Sequence, residues 1–128
     1  MAEAVPQLSI FVPGHLLASG LVRGAHGNYS NIAAMTPRGA VAWYRLMMTD
    51  PAAAADVERR IGEFFVRHLA PSQARGLSNP ALDKFLATVG GWADIGVTLR
   101  WPASSAPVDA VAPARADAHR LLPELFPA

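Results

Sequence analysis

The N-terminal part of this sequence predicts a β-strand, a short helix and a second β-strand, and this order constrains the fold more than any other feature. Residues 8–12 are a β-branched and aromatic run that ends at Pro13-Gly14, which predicts a buried strand and a turn. Residues 15–23 are compatible with a short helix, and residues 28–32 predict the second strand. Two strands joined in this way are parallel, and parallel sheets are normally buried on both faces. Two strands alone cannot meet that requirement, so we expect further strands from elsewhere.

Beyond the second strand the pattern becomes helical, and its start signals are clear. Three times a residue that can cap a helix precedes a proline, at Thr36-Pro37, Asp50-Pro51 and Asn79-Pro80. Proline suits the first helical turn because its missing N–H would have no partner there, and the preceding side chain can accept a bond from a free amide. The pattern predicts helices at about 37–49, 51–70, 80–90 and 107–122, with an extended connection from 92 to 105.

The helix predicted at 51–70 is amphipathic. An apolar stripe at helical spacing runs along one face and continues to His68 at its end. The opposite face carries acidic and basic residues at positions that allow i,i+4 ion pairs. We therefore expect this helix to pack against a core with one face and to meet water with the other.

The composition suggests a surface that other protein normally covers. Apolar residues make up 52% of the 128 residues and charged residues only 16%. This imbalance indicates contact with more chain or with partner subunits, so we expect a homo-oligomer or a missing second part. The net charge of +1 and the scattered basic residues argue against binding of nucleic acid or membrane surfaces.

Several classes of site and location are disfavoured by what the sequence lacks. It contains no cysteine, which excludes disulfides, thiolate chemistry and cysteine-based zinc sites. Residues 1–6 lack the charged and apolar regions of a signal peptide, and the apolar runs are too short for a membrane span. We expect a soluble, cytoplasmic protein with no cofactor and no metal.

Two loops carry the candidate binding residues, and each follows a predicted parallel strand. In α/β proteins such loops converge on one crevice and hold the ligand. We expect Gly14, His15, Tyr29, Ser30 and Asn31 to bind a small polar substrate through hydrogen bonds. The alternative is that these residues close the loops and are satisfied by backbone groups.

Other candidate sites have less support. His15 and His26 stand in different loops without a carboxylate at ligand-like spacing, so a metal site is not expected. Ser30, His26 and Asp83 could be drawn as a catalytic triad, but no nucleophile-elbow motif supports one. Lys84, the only lysine, follows Asp83 on the polar side of a helix, so we expect a solvated, protonated amine and no Schiff base.

Four segments together resemble the dihydrodipicolinate synthase and N-acetylneuraminate lyase family. Phe11-Val-Pro-Gly-His and Gly24-Ala-His-Gly-Asn-Tyr-Ser-Asn are similar to that family's strands seven and eight, and a Pro-started helix follows. Ser78-Asn-Pro-Ala-Leu-Asp-Lys-Phe-Leu is similar to its C-terminal helical region, and Leu99-Arg-Trp-Pro to its ending. The segments occur in the family's order over nearly the whole chain.

The resemblance implies Schiff-base chemistry on pyruvate or a related 2-oxo acid, but it also implies an incomplete enzyme. In this family the imine lysine lies on strand six, the proton-shuttling tyrosine on strand five and the carboxylate-binding turn after strand two. The likeness begins at strand seven, and Lys84 matches the C-terminal helices. The loop Val12–His15 also lacks the acidic residues that many members have there. We therefore expect no catalytic residue in this chain.

The predicted fold class is α/β: a C-terminal fragment of a (β/α)₈ TIM barrel, with its last two parallel strands in residues 1–36 and a mostly helical region in residues 37–128. The predicted function is that of a partial aldolase or lyase, inactive alone. A second hypothesis is a non-catalytic helical module for interaction or self-association, which the cleanly capped helices and the high apolar fraction favour.

Overall fold

The β-branched N-terminal run does form a strand, and it pairs in parallel with the second predicted strand. The computed structural model describes residues 7–128. Strand β1 spans Phe11–Pro13 and β2 spans Gly27–Tyr29, with Val12 opposite Asn28 in the register. Both strands are only three residues long, so each is shorter than predicted. The prediction that the first strand is buried is wrong, since Phe11 is 53% exposed, and Asn31 and Ile32, predicted in the second strand, are helical. The prediction that they pair in parallel is confirmed.

Helix α1 (Leu17–Val22) connects the two strands, after a turn of 3₁₀ helix at Gly14–Leu16. Gly20 allows this helix to lie directly on β1, because a Cβ at that position would come within 2.8 Å of the Val12 side chain. The helix ends before Gly24, whose φ of 88° only glycine adopts readily. The strand–helix–strand unit therefore forms as the sequence predicts.

The prediction of a TIM-barrel fragment is wrong. Residues 7–128 contain one sheet of two strands and are otherwise mainly helical. Helix α2 (Asn31–Met35) starts directly after β2 and packs against α6 (Asn79–Gly90). A Cβ on Gly90 would lie 1.6 Å from the Met35 carbonyl oxygen, so the two backbones touch. Helices thus follow β2 where a barrel would continue with further strands, while the two strands themselves stay partly exposed, with Phe11 at 53% and Tyr29 at 81%.

The remaining helices begin close to the predicted positions. Two predicted caps are confirmed: the Thr36 hydroxyl accepts a hydrogen bond from Gly39 N, and the Asp50 carboxylate accepts one from Ala53 N. The prediction of a third cap at Asn79 is wrong, because Asn79 is already helical and follows Ser78. These helices are α3 (Pro37–Thr49), α4 (Pro51–His68), α5 (Ala70–Ala74), α6 (Asn79–Gly90) and α7 (Val111–Leu121).

The helical patterns did not reveal α2 and α5, which are five residues long each. The last helix begins with a 3₁₀ turn at Val108–Ala110, and no regular structure occurs between residues 92 and 105. A further 3₁₀ turn at Pro123–Leu125 closes the described chain. Short elements of this kind are stabilised by packing, because a helix of one turn is not stable in water alone.

One apolar core joins the N-terminal unit to the helices. Leu17 of α1, Ile32 of α2 and Phe64 of α4 all belong to it, and Ile32 and Phe64 have no exposed surface. The C-terminal turn closes the core through Leu125, which is also fully buried. The stripe predicted for α4 does face this core at Val57, Ile61 and Phe64.

None of the helices within residues 7–128 has the length and the apolar character needed to cross a membrane. The expected absence of a signal peptide concerns residues 1–6, which lie outside the described residues.

Candidate functional site

A cleft of about 820 Å³ lies beside the ends of the two strands. Its first wall is formed by β1, the 3₁₀ turn, the end of β2 and the start of α2. The second half of α4 and the start of α5 form another wall, and the first half of α6 forms the third. The cleft is therefore built from both the N-terminal unit and the helices that follow it.

Four of the five predicted site residues line this cleft: His15, Tyr29, Ser30 and Asn31. The fifth, Gly14, lies behind them, and a Cβ there would come within 2.6 Å of Ser30 Cα and 2.8 Å of Asn31 Oδ1. The parallel pairing of β1 and β2 brings the two loops together, because it places both carboxyl ends at the same edge.

Ser30 stands at the start of α2 and caps it. Its Oγ accepts a hydrogen bond of 2.9 Å from Ala33 N. An oxygen that accepts this bond still carries its own proton, so the hydroxyl can donate to a ligand. The predicted alternative, in which backbone groups satisfy this residue, therefore holds for the Ser30 oxygen as an acceptor. The hydroxyl proton is still available as a donor.

His15 and Asn31 form a pair at the inner end of the cleft. The Asn31 amide nitrogen lies 3.2 Å from His15 Nδ1, and the imidazole ring packs 4.9 Å from the Phe65 ring. Burial lowers the pKa of His15, and the nearby Glu58 carboxylate partly opposes this effect. Since the ordinary pKa of histidine is already below 7, the ring is neutral at neutral pH.

The carbonyl oxygen of the same amide is the unusual atom of the site. Asn31 Oδ1 is buried and accepts no hydrogen bond from the residues that the structure describes. It lies against Gly14, where no side chain would fit. A buried acceptor without a donor costs free energy. The packing of neighbouring residues must therefore keep the Asn31 amide in this position, since its hydrogen bond to His15 is not enough.

Tyr29 lies at the outer rim of the cleft. Its side chain is 81% exposed, and its ring contacts Phe11 at a centroid distance of 5.9 Å. The phenol is therefore available to a ligand at the entrance, whereas His15 and Asn31 lie deeper.

The opposite walls supply residues that reasoning from the sequence did not place at the site. Phe65 and Leu82 are apolar, and Gln73, Asn79 and Asp83 add polar groups. Partial burial raises the pKa of the Asp83 carboxyl group. These residues lie on separate helices, so only the packing of α4, α5 and α6 brings them to the cleft. No local motif in the sequence marks them.

The cleft carries no basic side chain apart from histidine among residues 7–128. Lys84 directs its amine to the Thr98 carbonyl oxygen at 2.5 Å, away from the cleft. Lys84 is not among the residues that line the cleft. Any anionic ligand would therefore be bound by neutral donors.

The structure does not bring together the residues of the other candidate sites. Residues 7–128 contain no group of three histidine, aspartate or glutamate side chains that could hold a metal ion. His26 lies outside the cleft, and its Nδ1 accepts a hydrogen bond of 3.1 Å from Ile10 N. Ser30 and Asp83 share the cleft without it, so the triad of Ser30, His26 and Asp83 does not form.

No protein-family model, curated protein or solved structure matches this chain. The resemblance to the dihydrodipicolinate synthase and N-acetylneuraminate lyase family thus stays a prediction, supported by the short segments that suggested it. Conclusions on function have to be drawn from the cleft itself.

Proposed function

We propose that this chain is a catalytically incomplete, aldolase-like protein whose cleft binds a small 2-oxo acid without converting it. The observation that carries the proposal is the convergence of His15, Tyr29, Ser30 and Asn31 on one cleft at the carboxyl ends of two parallel strands. This edge is where α/β proteins bind their ligands, so the location and the chemistry of the groups agree.

The donors of the cleft fit the oxygens of a 2-oxo acid. The Ser30 hydroxyl keeps its proton for donation, and the phenol of Tyr29 is exposed at the entrance. Hydroxyl and N–H groups bind both carbonyl and carboxylate oxygens. Because the described cleft holds no arginine or lysine, we expect weak binding, with a Kd of ~1 mM or above.

Imine chemistry needs an amine that faces the ligand. Lys84 is the only lysine in the sequence, and its amine is bound to the Thr98 carbonyl oxygen. An amine bound to a backbone carbonyl outside the cleft does not face a ligand inside it. We therefore expect the chain to bind without forming a covalent adduct.

Titration of the ¹⁵N-labelled chain with pyruvate, followed by amide NMR, tests the binding. We expect saturable shifts at the amides of Ser30 and Asn31, and none at Ser72, which lies outside the cleft. Ser30→Ala should weaken binding, whereas Ser72→Ala should not. Propionate, which lacks the 2-oxo group, is the control ligand. A folded chain without saturable shifts would contradict the proposal.

Borohydride trapping with pyruvate, read by intact mass, tests the missing catalysis. We expect no adduct. An adduct at Lys84 would show that this amine leaves Thr98 and reaches a ligand, and the description of the chain as catalytically incomplete would be wrong.

The second candidate function is self-association, and the exposed face of α3 favours it. Val41, Tyr44 and Met48 are exposed on this helix at i, i+3 and i+7, so they form one apolar row. Arg38 and Arg45 are exposed on the same helix and make no ion pair with the described residues. An apolar row of this kind is typical of a helix that packs against a partner, here a second copy.

Light scattering across a range of protein concentrations tests this candidate. We expect a concentration-dependent dimer that Tyr44→Glu converts to monomer. Val108→Glu changes an even more exposed apolar residue away from α3 and should leave the dimer intact. A wild-type chain that stays monomeric at every concentration would exclude self-association through α3.

A further inference from the structure

We propose that Asn31 holds the His15 ring as the tautomer with its proton on Nε2, and that this N–H is the donor for the carbonyl oxygen of the ligand. The part concerning the ligand rests on the proposed function, whereas the part concerning the tautomer does not. Asn31 is then a positioning residue, and His15 is the residue that touches the ligand.

The direction of one hydrogen bond fixes the tautomer. The Asn31 amide nitrogen lies 3.2 Å from His15 Nδ1. An amide nitrogen can only donate, so Nδ1 must accept with its lone pair. In a neutral imidazole the single proton is then on Nε2. No acceptor among the described residues takes a hydrogen bond from Nε2, and His15 is one of the residues that line the cleft, so this N–H is the group of the ring left for a ligand.

The packing around Asn31 confines its amide group beside His15. Ser30 caps α2 and fixes the backbone immediately before Asn31. Gly14 packs against the amide oxygen, with no room for a Cβ between them. The opposite orientation would point the oxygen to His15 and require a proton on Nδ1, so the two arrangements predict different tautomers.

The surroundings of His15 keep the ring neutral. Helix α4 packs Phe65 against the ring at 4.9 Å and places Glu58 nearby, and α2 contributes Asn31. Glu58 is the charged group that acts on the ring, and one of its oxygens accepts a hydrogen bond of 3.1 Å from Ser19 N. Protonation at Nδ1 would also break the bond from Asn31, so burial and this bond both disfavour the imidazolium.

A neutral N–H donor has a different ligand preference from an imidazolium. It lacks the charge by which an imidazolium attracts every carboxylate, so its contribution depends on an acceptor oxygen placed directly in front of it, and propionate has no oxygen at the 2-position. We therefore expect His15 to recognise the 2-oxo group, which is the part of the ligand that propionate lacks.

Long-range ¹H–¹⁵N NMR of the histidine side chains tests the tautomer in the wild-type chain, without any ligand or variant. Protonated and unprotonated ring nitrogens have well separated ¹⁵N shifts. At pH 8 we expect a protonated Nε2 and an unprotonated Nδ1 at His15. The exposed ring of His119 serves as the internal reference. A protonated Nδ1 at His15 would overturn the proposal.

Two variants of Asn31 test its positioning role. In Asn31→Asp the carboxylate can only accept, so we expect the proton to move to Nδ1 and the pKa of His15 to rise. In Asn31→Ala the bond is lost, and we expect a mixture of tautomers. If the tautomer of a folded Asn31→Ala chain equals that of the wild type, Asn31 does not position His15.

Pyruvate titration separates this inference from the proposed function. At pH 8, where the ring is neutral in both chains, we expect pyruvate to shift the Nε2 resonance of His15, and Asn31→Asp to weaken binding about three- to tenfold or more, because the Nε2 donor is lost and the new carboxylate repels the anionic ligand. If pyruvate binds but leaves Nε2 and the Asn31→Asp affinity unchanged, His15 is not the donor and the proposed function survives. If pyruvate does not bind at all, the proposed function and the ligand part fail together, while the tautomer stands on its own measurement.

Discussion

Thr36 is the one polar side chain in the buried core of residues 7–128, and it performs two tasks there. Its hydroxyl accepts a hydrogen bond from Gly39 N at the start of α3 and donates one of 2.7 Å to the Leu125 carbonyl oxygen. The same oxygen atom thus caps a helix and forms a hydrogen bond to the C-terminal turn, 89 residues further along the chain. The cap is visible in the sequence because it is local, whereas its distant partner is not.

Replacing Thr36 with valine should destabilise the fold by about 2–3 kcal/mol, because a cap is lost and a buried carbonyl oxygen loses its donor. Urea unfolding followed by circular dichroism measures the difference. Thr49→Val is the matched control, since Thr49 is exposed and bonds only within its own helix. An equal effect of both changes would show that the bond to Leu125 contributes nothing.

Two glycines that face the cleft region predict opposite effects of the same substitution. A Cβ on Gly14 would lie within 2.8 Å of Asn31 Oδ1 and of the Tyr29 carbonyl oxygen, whereas a Cβ on Gly62 meets nothing within 4 Å. Gly14→Ala should destabilise by about 1–3 kcal/mol through overpacking. Gly62→Ala, in the middle of α4, should stabilise by about 0.5–1 kcal/mol through its helix propensity.

Thermal unfolding of the two alanine variants checks the pair. A Gly14→Ala chain with wild-type stability would show that the 3₁₀ turn can move away from α2. A destabilised Gly62→Ala chain would show that another group occupies the space beside Gly62.

The long elements could be predicted from the sequence, and the short ones could not. Helices α3, α4 and α6 carry apolar stripes over three or more turns, and proline and a capping residue mark two of their starts. Helices α2 and α5 have one turn each, so their periodicity is too short to recognise and only packing stabilises them. The four loop residues of the site could be predicted because they follow strands. Their partner Phe65 could not, since it looks like any other core residue of α4.

A cluster of charges joins α4 to α7. The carboxylate of Asp117 in α7 lies 2.7 Å from the Arg67 guanidinium and 2.9 Å from the His68 ring, both at the end of α4. It also pairs with Arg120 on its own helix. The hydrogen bonds from Arg67, Arg120 and His68 hold the pKa of Asp117 well below its ordinary value of 3.8. A carboxyl group whose pKa is lower in the folded state stabilises the fold above the unfolded pKa, and this stabilisation is lost as the pH falls below about 4.

Asp117→Asn should therefore destabilise the chain at pH 7, and the difference from wild type should shrink as the pH falls below 4. Urea unfolding of both chains at a series of pH values measures this. Asp109→Asn is the control, because Asp109 is exposed and makes no ion pair within residues 7–128. A difference that stays constant down to pH 3 would contradict a role for the ionised carboxylate.

At the scale of the whole molecule, the error of the sequence-based prediction has a definite cause. A strand–helix–strand unit predicts a parallel sheet, and parallel sheets are normally larger than two strands. The sequence pattern shows where strands form, but not what covers them. Here Ile32 and Met35 follow β2 as a buried helical turn, and α6 packs onto them. The helices therefore build the core mainly among themselves, and the two-stranded sheet stays partly exposed at its side.

The C-terminal turn gives the sharpest test that these parts form one cooperative unit. Leu125 is fully buried although only three residues follow it in the sequence, and a Cβ on Gly39 of α3 would lie 1.9 Å from its carbonyl oxygen. Leu125→Ala should cost about 2–4 kcal/mol, as truncation of a buried leucine does. The core also includes Trp43. In the Leu125→Ala chain, the change in tryptophan fluorescence and the loss of helical circular dichroism should therefore occur together, at a lower urea midpoint than in the wild type. Val108→Ala, at an exposed position, should change little. A Leu125→Ala chain that unfolds like the wild type would show that the turn is detached from the core.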